Sequence, residues 1–291
     1  TSVATAYDET VYVTDFDNNA IRAISYYDGS VSTLVHMTGF SRPFGIVYSY
    51  VDDNLYVETD DDDTGAHSGT TGTIWKINRY TGVATVVARD IGRPRGLEVL
   101  SDGRLALSDL THQNISILDP VTGNLTLLAG STTDAAGYTD ATGSNALFNR
   151  PYGLALASNG DLLVADQNNN VIREVTLAGV VTTYAGTGTV GSANGPRATA
   201  TFSGPEDVAV FNDVVYVSDQ GNHLVRVIFN DRVSVQAGDG NAGFFDGNST
   251  DAEFFGMEGI DTSPGGHLLW IADGNVGNGG PYNRVRFIWV S

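Results

Sequence analysis

Short runs of alternating apolar and polar residues recur along the whole chain. Six of these runs end on an aspartate, and these residues are Asp15, Asp60, Asp109, Asp166, Asp219 and Asp273. The intervals between them are 45, 49, 57, 53 and 54 residues, which is too regular for chance. An alternation of period two predicts β-strands, and a repeat of about 50 residues is long enough for a four-stranded sheet with its connection.

Three further runs accompany each aspartate strand. A strand with a proline or glycine entry precedes it in five copies, as in RPYGLALA from Arg150, and SVATAY takes this place in the first copy. Proline fixes the backbone at the entry, and glycine permits close approach near a crowded axis. A third strand such as VIREV follows a short loop, and a β-branched run such as GVVTTYAG closes the repeat. The order of these runs predicts an all-β fold, a six-bladed β-propeller.

The loop between the second and third strands has a fixed spacing of Asp and Asn. It reads DFDNNAIRAI, DQNNNVIREV and DQGNHLVRVI in three copies. Both residue types accept left-handed backbone conformations and bond their own backbone. We therefore interpret the motif as turn chemistry first and as a ligand site second.

The repeat divides residues 1–291, as a single propeller, into six blades. Their approximate ranges are 1–40, 41–91, 92–148, 149–202, 203–254 and 255–291. The last run, NRVRFIWVS, aligns with a third strand, and no fourth strand follows it. Either the last blade has three strands and an exposed edge, or the chain belongs to a longer protein or assembly.

Together the motifs resemble the NHL repeat family. The shared pattern is P-x-G with apolar residues, then L-x-V-A-D, D-x-x-N-x-x-[IV]-R and V-x-T-x-A-G, followed by a connection ending in A-x-F. It is strongest in the blades of Asp166 and Asp219. It is weaker in the second and third blades, where an acidic insertion occurs and His112 and Ser116 replace the usual Asn and Arg. The resemblance implies a propeller that serves as an interaction module.

Composition excludes several classes of function. The chain has no cysteine, so disulfides, thiolate nucleophiles and cysteine-based zinc sites are excluded. Its net charge of −19 opposes binding to nucleic acid, whose phosphates are bound by Lys and Arg. No run approaches the roughly 18 apolar residues of a membrane span, so we expect no membrane insertion.

Candidate ligand-binding residues lie where loops meet at one face of a propeller. The residues that follow the entry proline, or its equivalent, are Phe44, Arg95, Tyr152, Glu206 and Glu258. A second ring follows the repeated aspartates and consists of Phe16, Asp61, Leu110, Gln167, Gln220 and Gly274. We expect both rings at one channel mouth, with Gln167 and Gln220 widening the site. The alternative is that these side chains simply face water.

No cofactor is required by the sequence, but Ca²⁺ is possible at Glu206, Asp207 and Glu258. Close carboxylates are held together only with a cation or a shared proton, and hard oxygen ligands favour Ca²⁺. The histidines fall at unrelated blade positions and predict no zinc site. We expect the run Asp60–Asp63, near His67, to be a solvated loop, and residues 239–253 to be a linker.

We favour a non-catalytic module that binds a protein, peptide or glycan through one propeller face. No G-x-S-x-G motif occurs, and we assign no catalytic residue. Some six-bladed propellers are enzymes, so a calcium-dependent hydrolase, lactonase or lyase is the alternative. Sequons at Asn114, Asn124 and Asn248 permit N-glycosylation and favour an extracellular or cell-surface location.

Overall fold

The structure, a computed structural model, describes residues 1–274 and 283–290. Blade one contains β1 (Val3–Thr5), β2 (Val11–Asp15), β3 (Ala20–Ile24) and β4 (Val31–Val35). Blade two contains β5 (Pro43–Ser49), β6 (Asn54–Thr59), β7 (Thr73–Asn78) and β8 (Ala84–Ala88). Blade three contains β9 (Pro94–Val99), β10 (Leu105–Asp109), β11 (Asn114–Leu118) and β12 (Leu125–Gly130).

The second half of the chain continues the same order. Blade four contains β13 (Pro151–Leu156), β14 (Leu162–Asp166), β15 (Val171–Val175) and β16 (Val181–Ala185). Blade five contains β17 (Gly195–Pro196), β18 (Pro205–Phe211), β19 (Val214–Asp219), β20 (Leu224–Phe229) and β21 (Arg232–Ala237). Blade six contains β22 (Met257–Thr262), β23 (Leu268–Asp273) and β24 (Arg284–Trp289). Short 3-10 segments span Phe16–Asn18, Gly143–Asn145, Gln167–Asn169 and Gln220–Asn222.

All strand pairs of the blades are antiparallel, and the predicted β-propeller is confirmed. The inner strands β1, β5, β9, β13, β18 and β22 pack in succession, and β22 packs against β1, so the ring is closed. Two sheets depart from four strands. The short β17, from the connection after blade four, pairs with β21, and blade six has three strands among the described residues.

Glycine near the axis allows the inner strands to approach each other. A Cβ atom at Gly153 would lie 2.7 Å from the Cα of Asp207 in the next blade. A Cβ at Gly96 would lie 2.8 Å from the backbone nitrogen of Leu154. These distances are shorter than van der Waals contact, so the glycine of the entry motif is required by packing at the axis.

The hydrophobic core is divided into layers between adjacent blades. One layer joins blade three to blade four through residues such as Ala106, Ile117 and Val164. Phenylalanines from the connections between blades complete several layers, and those with at most 2% exposure are Phe40, Phe148, Phe202 and Phe254. Packing between blades therefore depends on the connections as well as on the sheets.

The Asp–Asn–Arg motif forms a turn, as the sequence predicts. Asn170 closes the segment Gln167–Asn169 in the left-handed conformation, with φ 55°. Asp166 then accepts hydrogen bonds from Asn169 Nδ2 and Arg173 Nη1, both at 2.8 Å. The motif is thus a structural unit that fixes the turn and buries an ion pair.

Candidate functional site

The predicted residues at the entry to the inner strands form a compact aromatic cluster. The ring of Phe44 lies 5.7 Å from that of Tyr152 and 6.1 Å from that of Phe16. The guanidinium of Arg95 lies 4.0 Å from the centre of the Phe44 ring. Phe44, Arg95 and Tyr152 are each at most 8% exposed. The alternative that these side chains simply face water is wrong for Phe44, Arg95 and Tyr152, because they pack against each other across the axis and close this mouth.

Arg95 is held by acidic residues of blade two. Its Nη1 atom donates to Asp60 Oδ1 at 2.6 Å and to Glu58 Oε2 at 3.4 Å. Burial opposes ionisation of Asp60, but the hydrogen bonds and charges of Arg95 and Arg93 outweigh it and hold its pKa at about 2. Asp60 is therefore the counterion of Arg95. Together we call Phe44, Arg95 and Tyr152 the plug.

The prediction of a solvated acidic loop is wrong for Asp60 and Asp61, which are 0% and 8% exposed. Asp61 Oδ1 lies 2.8 Å from the Nδ1 atom of His67. Asp63 pairs with Arg89, at 2.9 Å between Oδ1 and Nε. Adjacent strand and turn residues point in different directions, so each carboxylate of the run has its own partner.

The acidic side of the same mouth contains Glu206 and Glu258. Glu206 Oε1 accepts a hydrogen bond from Gln167 Nε2 at 2.8 Å. Its Oε2 atom is buried and has no partner among the described residues. Burial, and then the charge of Glu258, raise the pKa of Glu206 well above its usual value. Gln220 begins the 3-10 segment of blade five, after Asp219.

Of the three residues predicted to bind calcium, Asp207 lies apart from Glu206 and Glu258. Asp207 lies along the wall of the central cavity, which Glu206 and Glu258 do not line. Its two carboxylate oxygens accept hydrogen bonds from the backbone N–H groups of Val208 and Ile260, at 2.9 and 3.0 Å. Among residues 1–274 and 283–290, no group of three or more His, Cys, Asp or Glu side chains is arranged to hold a metal ion.

A central cavity of about 300 Å³ extends from the plug to the opposite face. Arg95 lines its inner end, whereas Tyr7, Tyr50 and Pro264 line its outer end. Tyr7 is 75% exposed and Tyr50 is 52% exposed. The cavity is therefore open at the face opposite the one that the sequence pattern favours.

Three carboxyl groups line this cavity: those of Glu98, Asp207 and Asp261. Asp261 accepts hydrogen bonds from the backbone N–H groups of Thr5 in blade one and Thr262, at 2.7 and 2.8 Å. Asp207 makes the same kind of bridge from blade five to blade six. Glu98 accepts from Val99 at 3.1 Å. These groups thus satisfy backbone donors along the axis.

The same three carboxyl groups have raised pKa values. Burial raises the pKa of Glu98 to about 8 and that of Asp207 to about 8, and the negative charge of Asp261 adds to both shifts. Burial raises the pKa of Asp261 to about 6, although its backbone hydrogen bonds favour the carboxylate. An additional positive charge in the cavity would reverse these shifts.

Glu98 is the cavity residue that the sequence analysis missed. It follows the entry glycine by two positions, where blades two, four and five have Val47, Ala155 and Ala209 and blade six has Asp261. Two acidic residues at a repeated inner-strand position that is otherwise apolar in these blades are a signal that a blade-by-blade alignment contains.

Comparison with known proteins agrees with this architecture. The sequence model described as NHL repeat matches residues 202–228. NHL repeat-containing protein 2 from Homo sapiens is 30% identical over 169 residues, which cover 57% of this chain and 19% of that protein. The chain is an NHL-repeat β-propeller. Protein SUPPRESSOR OF QUENCHING 1, chloroplastic, from Arabidopsis thaliana is 31% identical over 166 residues, or 57% of this chain and 13% of that protein.

The NHL-repeat propeller matches only a minor part of each curated relative, at most 19% of its length. Among solved structures, an auxiliary nutrient binding protein from Bacteroides thetaiotaomicron has a TM-score of 0.73 and 17% sequence identity. The alignment covers 98% of this chain and 69% of that one. At this identity the likeness concerns the fold.

The remaining candidates lie at the surface or in strands. Asn124 and Asn248 are exposed, whereas Asn114 begins β11 and is half-buried. The side chain of Asn114 donates to the carbonyl of Ser131 at 3.3 Å. Among the described residues, no helix is long and apolar enough to cross a membrane.

Proposed function

We propose that this NHL-repeat propeller is a non-catalytic binding module for a protein or peptide. A basic side chain of the partner enters the central cavity from the face that carries Tyr7 and Tyr50. The observation that carries this proposal is the cavity itself, which is plugged at one end, open at the other and lined by three carboxyl groups.

The charges of the cavity select a cation. Arg95 is the basic side chain among the described lining residues, and it is already paired with Asp60. Glu98, Asp207 and Asp261 have no basic partner in the part of the chain that the structure describes, so an entering guanidinium or ammonium group would stabilise their ionised forms. Aromatic rings at the mouth add cation–π attraction. The net charge of −19 would draw a basic partner towards the protein.

The nutrient binding protein has the same fold at 17% identity, so its name carries no ligand over to this chain. A glycan has no positive charge to offer the carboxyl groups, and we therefore place peptides before glycans.

Replacing Glu98 and Asp261 together, as Glu98→Gln and Asp261→Asn, should weaken the binding of basic peptides. We expect a loss of at least about tenfold, because charge-assisted hydrogen bonds are roughly twice as strong as neutral ones. Titration calorimetry with short peptides containing a central Arg, Lys or Glu would measure it. Wild-type affinity for the Arg and Lys peptides should rise between pH 6 and 9, with release of protons, as Glu98 and Asp207 ionise.

Asp102→Asn is the matched control, because Asp102 is exposed outside the cavity and pairs with Arg104. Equal affinity of the Arg and Glu peptides, or a double variant that binds as tightly as the wild type, would refute the cavity as the site for basic groups.

A calcium-dependent hydrolase, lactonase or lyase is the second candidate, and Glu206 is the residue that favours it. The buried Oε2 atom of Glu206 has no partner among the described residues, and Glu258 lies near enough to raise its pKa. Millimolar Ca²⁺ should then raise the melting temperature of the wild type, because a ligand of the native state stabilises it. The double variant Glu206→Gln, Glu258→Gln should lose the rise, whereas Asp119→Asn should retain it. Equal melting with Ca²⁺ and with a chelator would remove this candidate.

We further propose an extracellular or cell-surface location, which requires passage through a secretory pathway. The exposure of Asn124 and Asn248 supports it, since a sequon must be accessible to be modified.

A further inference from the structure

Three tyrosines of blades one and two are exposed at the face where the central cavity opens. Tyr7 lies in the turn after β1, Tyr50 in the turn after β5 and Tyr80 in the turn after β7. Their exposed fractions are 75%, 52% and 66%. Tyr7 and Tyr50 also line the cavity. The mouth of the cavity is therefore continuous with an aromatic surface on one side of the ring.

The fold itself does not require tyrosine in the turns that follow the inner strands. In the other four blades, these turns span residues 100–104, 157–161, 212–213 and 263–267. None of the four contains tyrosine, phenylalanine or tryptophan. Tyrosine is enriched at protein interfaces, because its ring supplies contact area and its hydroxyl forms hydrogen bonds. The aromatic side of this face is therefore a candidate interaction surface.

Arg79 holds these turns together from below. Its Nη1 atom donates to Asp8 Oδ2 at 2.8 Å, and its Nε atom donates to Asp53 Oδ1 at 2.6 Å. The hydroxyl of Tyr80 donates to Asp53 Oδ2 at 2.9 Å, and the centre of its ring lies 4.2 Å from the Cζ atom of Arg79. Tyr48, which lines the cavity, donates to Asp53 Oδ1 at 2.8 Å. The turns are thus fixed to one another and to the cavity wall.

The accessible charge of this surface is negative. The side chain of Arg79 is 6% exposed, whereas those of Asp8 and Asp53 are 49% and 46% exposed. The hydrogen bond from Arg79 lowers the pKa of Asp53, which therefore stays ionised at neutral pH. An approaching group meets two carboxylates and several aromatic rings, and both attract a cation. We call Tyr7, Asp8, Tyr50, Asp53 and Tyr80 the tyrosine surface.

We propose that the tyrosine surface binds a second basic side chain of the same polypeptide whose first basic side chain enters the central cavity. This inference rests on the proposed function and specifies the partner as a segment with two Arg or Lys residues two to four positions apart. A single side chain, that of Tyr48, reaches from the cavity wall to Asp53. An extended chain advances about 3.3 Å per residue, so a short spacing between the two basic residues is sufficient.

Titration calorimetry with peptides of equal length tests the proposal. One peptide has a single central Arg, and a second has an additional Arg three positions away, placed in turn on the N-terminal and on the C-terminal side. A third has its additional Arg ten positions away, so that its net charge equals that of the second. We expect one version of the second peptide to bind about tenfold more tightly than the single-Arg peptide, because carboxylates and rings both contribute. The third should gain less than about twofold.

Variants of the protein locate the second contact. Asp8→Asn and Tyr80→Ala should each remove most of the gain from the additional Arg and leave the affinity of the single-Arg peptide unchanged. Asp213→Asn is the matched control, because Asp213 is exposed in the equivalent turn of blade five and its replacement changes the net charge by the same amount as Asp8→Asn. Thermal unfolding of each variant verifies that it is folded, and the two variants test the surface independently.

The outcomes distinguish this inference from the proposed function. If the single-Arg peptide binds and the nearby second Arg adds less than about twofold on either side, the inference is overturned and the proposed function stands. An equal gain in Asp8→Asn, Tyr80→Ala and Asp213→Asn would also overturn it, because net charge and not the tyrosine surface would then be responsible. If no basic peptide binds, the proposed function and this inference fail together.

Discussion

Single residues decide the electrostatics of the channel. Asp207 and Asp261 bridge neighbouring inner strands, and Glu98 accepts a hydrogen bond from the backbone of Val99. The environment of all three carboxyl groups disfavours their charged forms. An ionised carboxylate buried without a cation is costly, and the cost appears as a raised pKa. The site is thus poised to respond to pH and to positively charged groups.

These pKa shifts predict that stability falls with rising pH. A carboxyl group whose pKa is raised on folding keeps its proton when the unfolded chain has lost it, so its contribution to stability is lost as the pH rises from about 4 towards 8. Glu98→Gln should therefore flatten the profile and stabilise the protein at pH 8 by on the order of 1–3 kcal/mol. Urea unfolding between pH 5 and 9 measures it, with the exposed Asp213→Asn as the control. If the unfolding free energy of Glu98→Gln changed with pH in parallel with that of the wild type, the raised pKa of Glu98 would be contradicted.

Connections between blades act as elements in their own right. Each connection before blades four, five and six contributes a phenylalanine and polar groups to a buried arginine of the next sheet. The arginine of the sequence motif therefore makes contacts outside the turn that the motif forms. It fastens one blade to the next through hydrogen bonds and packing.

Arg173→Ala should destabilise the protein far more than the same change at Arg22. Removal of Arg173 leaves Asp166 buried without its counterion, which typically costs about 3–5 kcal/mol. The partly exposed pair of Arg22 and Asp15 should contribute less than about 1 kcal/mol. Urea denaturation of the two variants measures the difference. Equal losses would mean that the connection contributes little to the burial of the pair.

At the scale of the whole molecule, the two faces of the ring have different tasks. One mouth is closed by Phe44, Tyr152 and Arg95, and the other opens into the cavity beneath Tyr7 and Tyr50. The high net negative charge acts over the entire surface, so association with a basic partner should weaken as salt is added.

The sequons predict which sites would be glycosylated during secretion from a eukaryotic cell. Asn124 and Asn248 should be modified because they are exposed, whereas Asn114 should not, because it is half-buried in β11 and bonded to Ser131. Endoglycosidase treatment of the secreted protein, followed by electrophoresis, would give two mobility steps. Asn124→Gln and Asn248→Gln should each remove one step, and a shift lost in Asn114→Gln would contradict this assignment.

The six repeats, the strand order and the turn after each repeated aspartate can all be predicted from the amino-acid sequence. These features are local, because alternation, glycine and the Asp–Asn spacing act within a few residues of Asp166 or Asp219. The repeat also predicts that Phe44, Arg95 and Tyr152 lie in one ring around the axis, since equivalent positions of a repeat occupy equivalent sites.

Which mouth is open and which charges are paired depend on contacts between blades, and the structure is needed to see them. Whether Phe44 faces water depends on Tyr152, two blades away, and whether Asp60 is solvated depends on Arg95 in the next blade. Such contacts join residues far apart in the chain, and no local pattern encodes their distances. For the same reason Arg22 and Arg173 hold the same position in the motif, although the side chain of Arg22 is 34% exposed and that of Arg173 is 0% exposed.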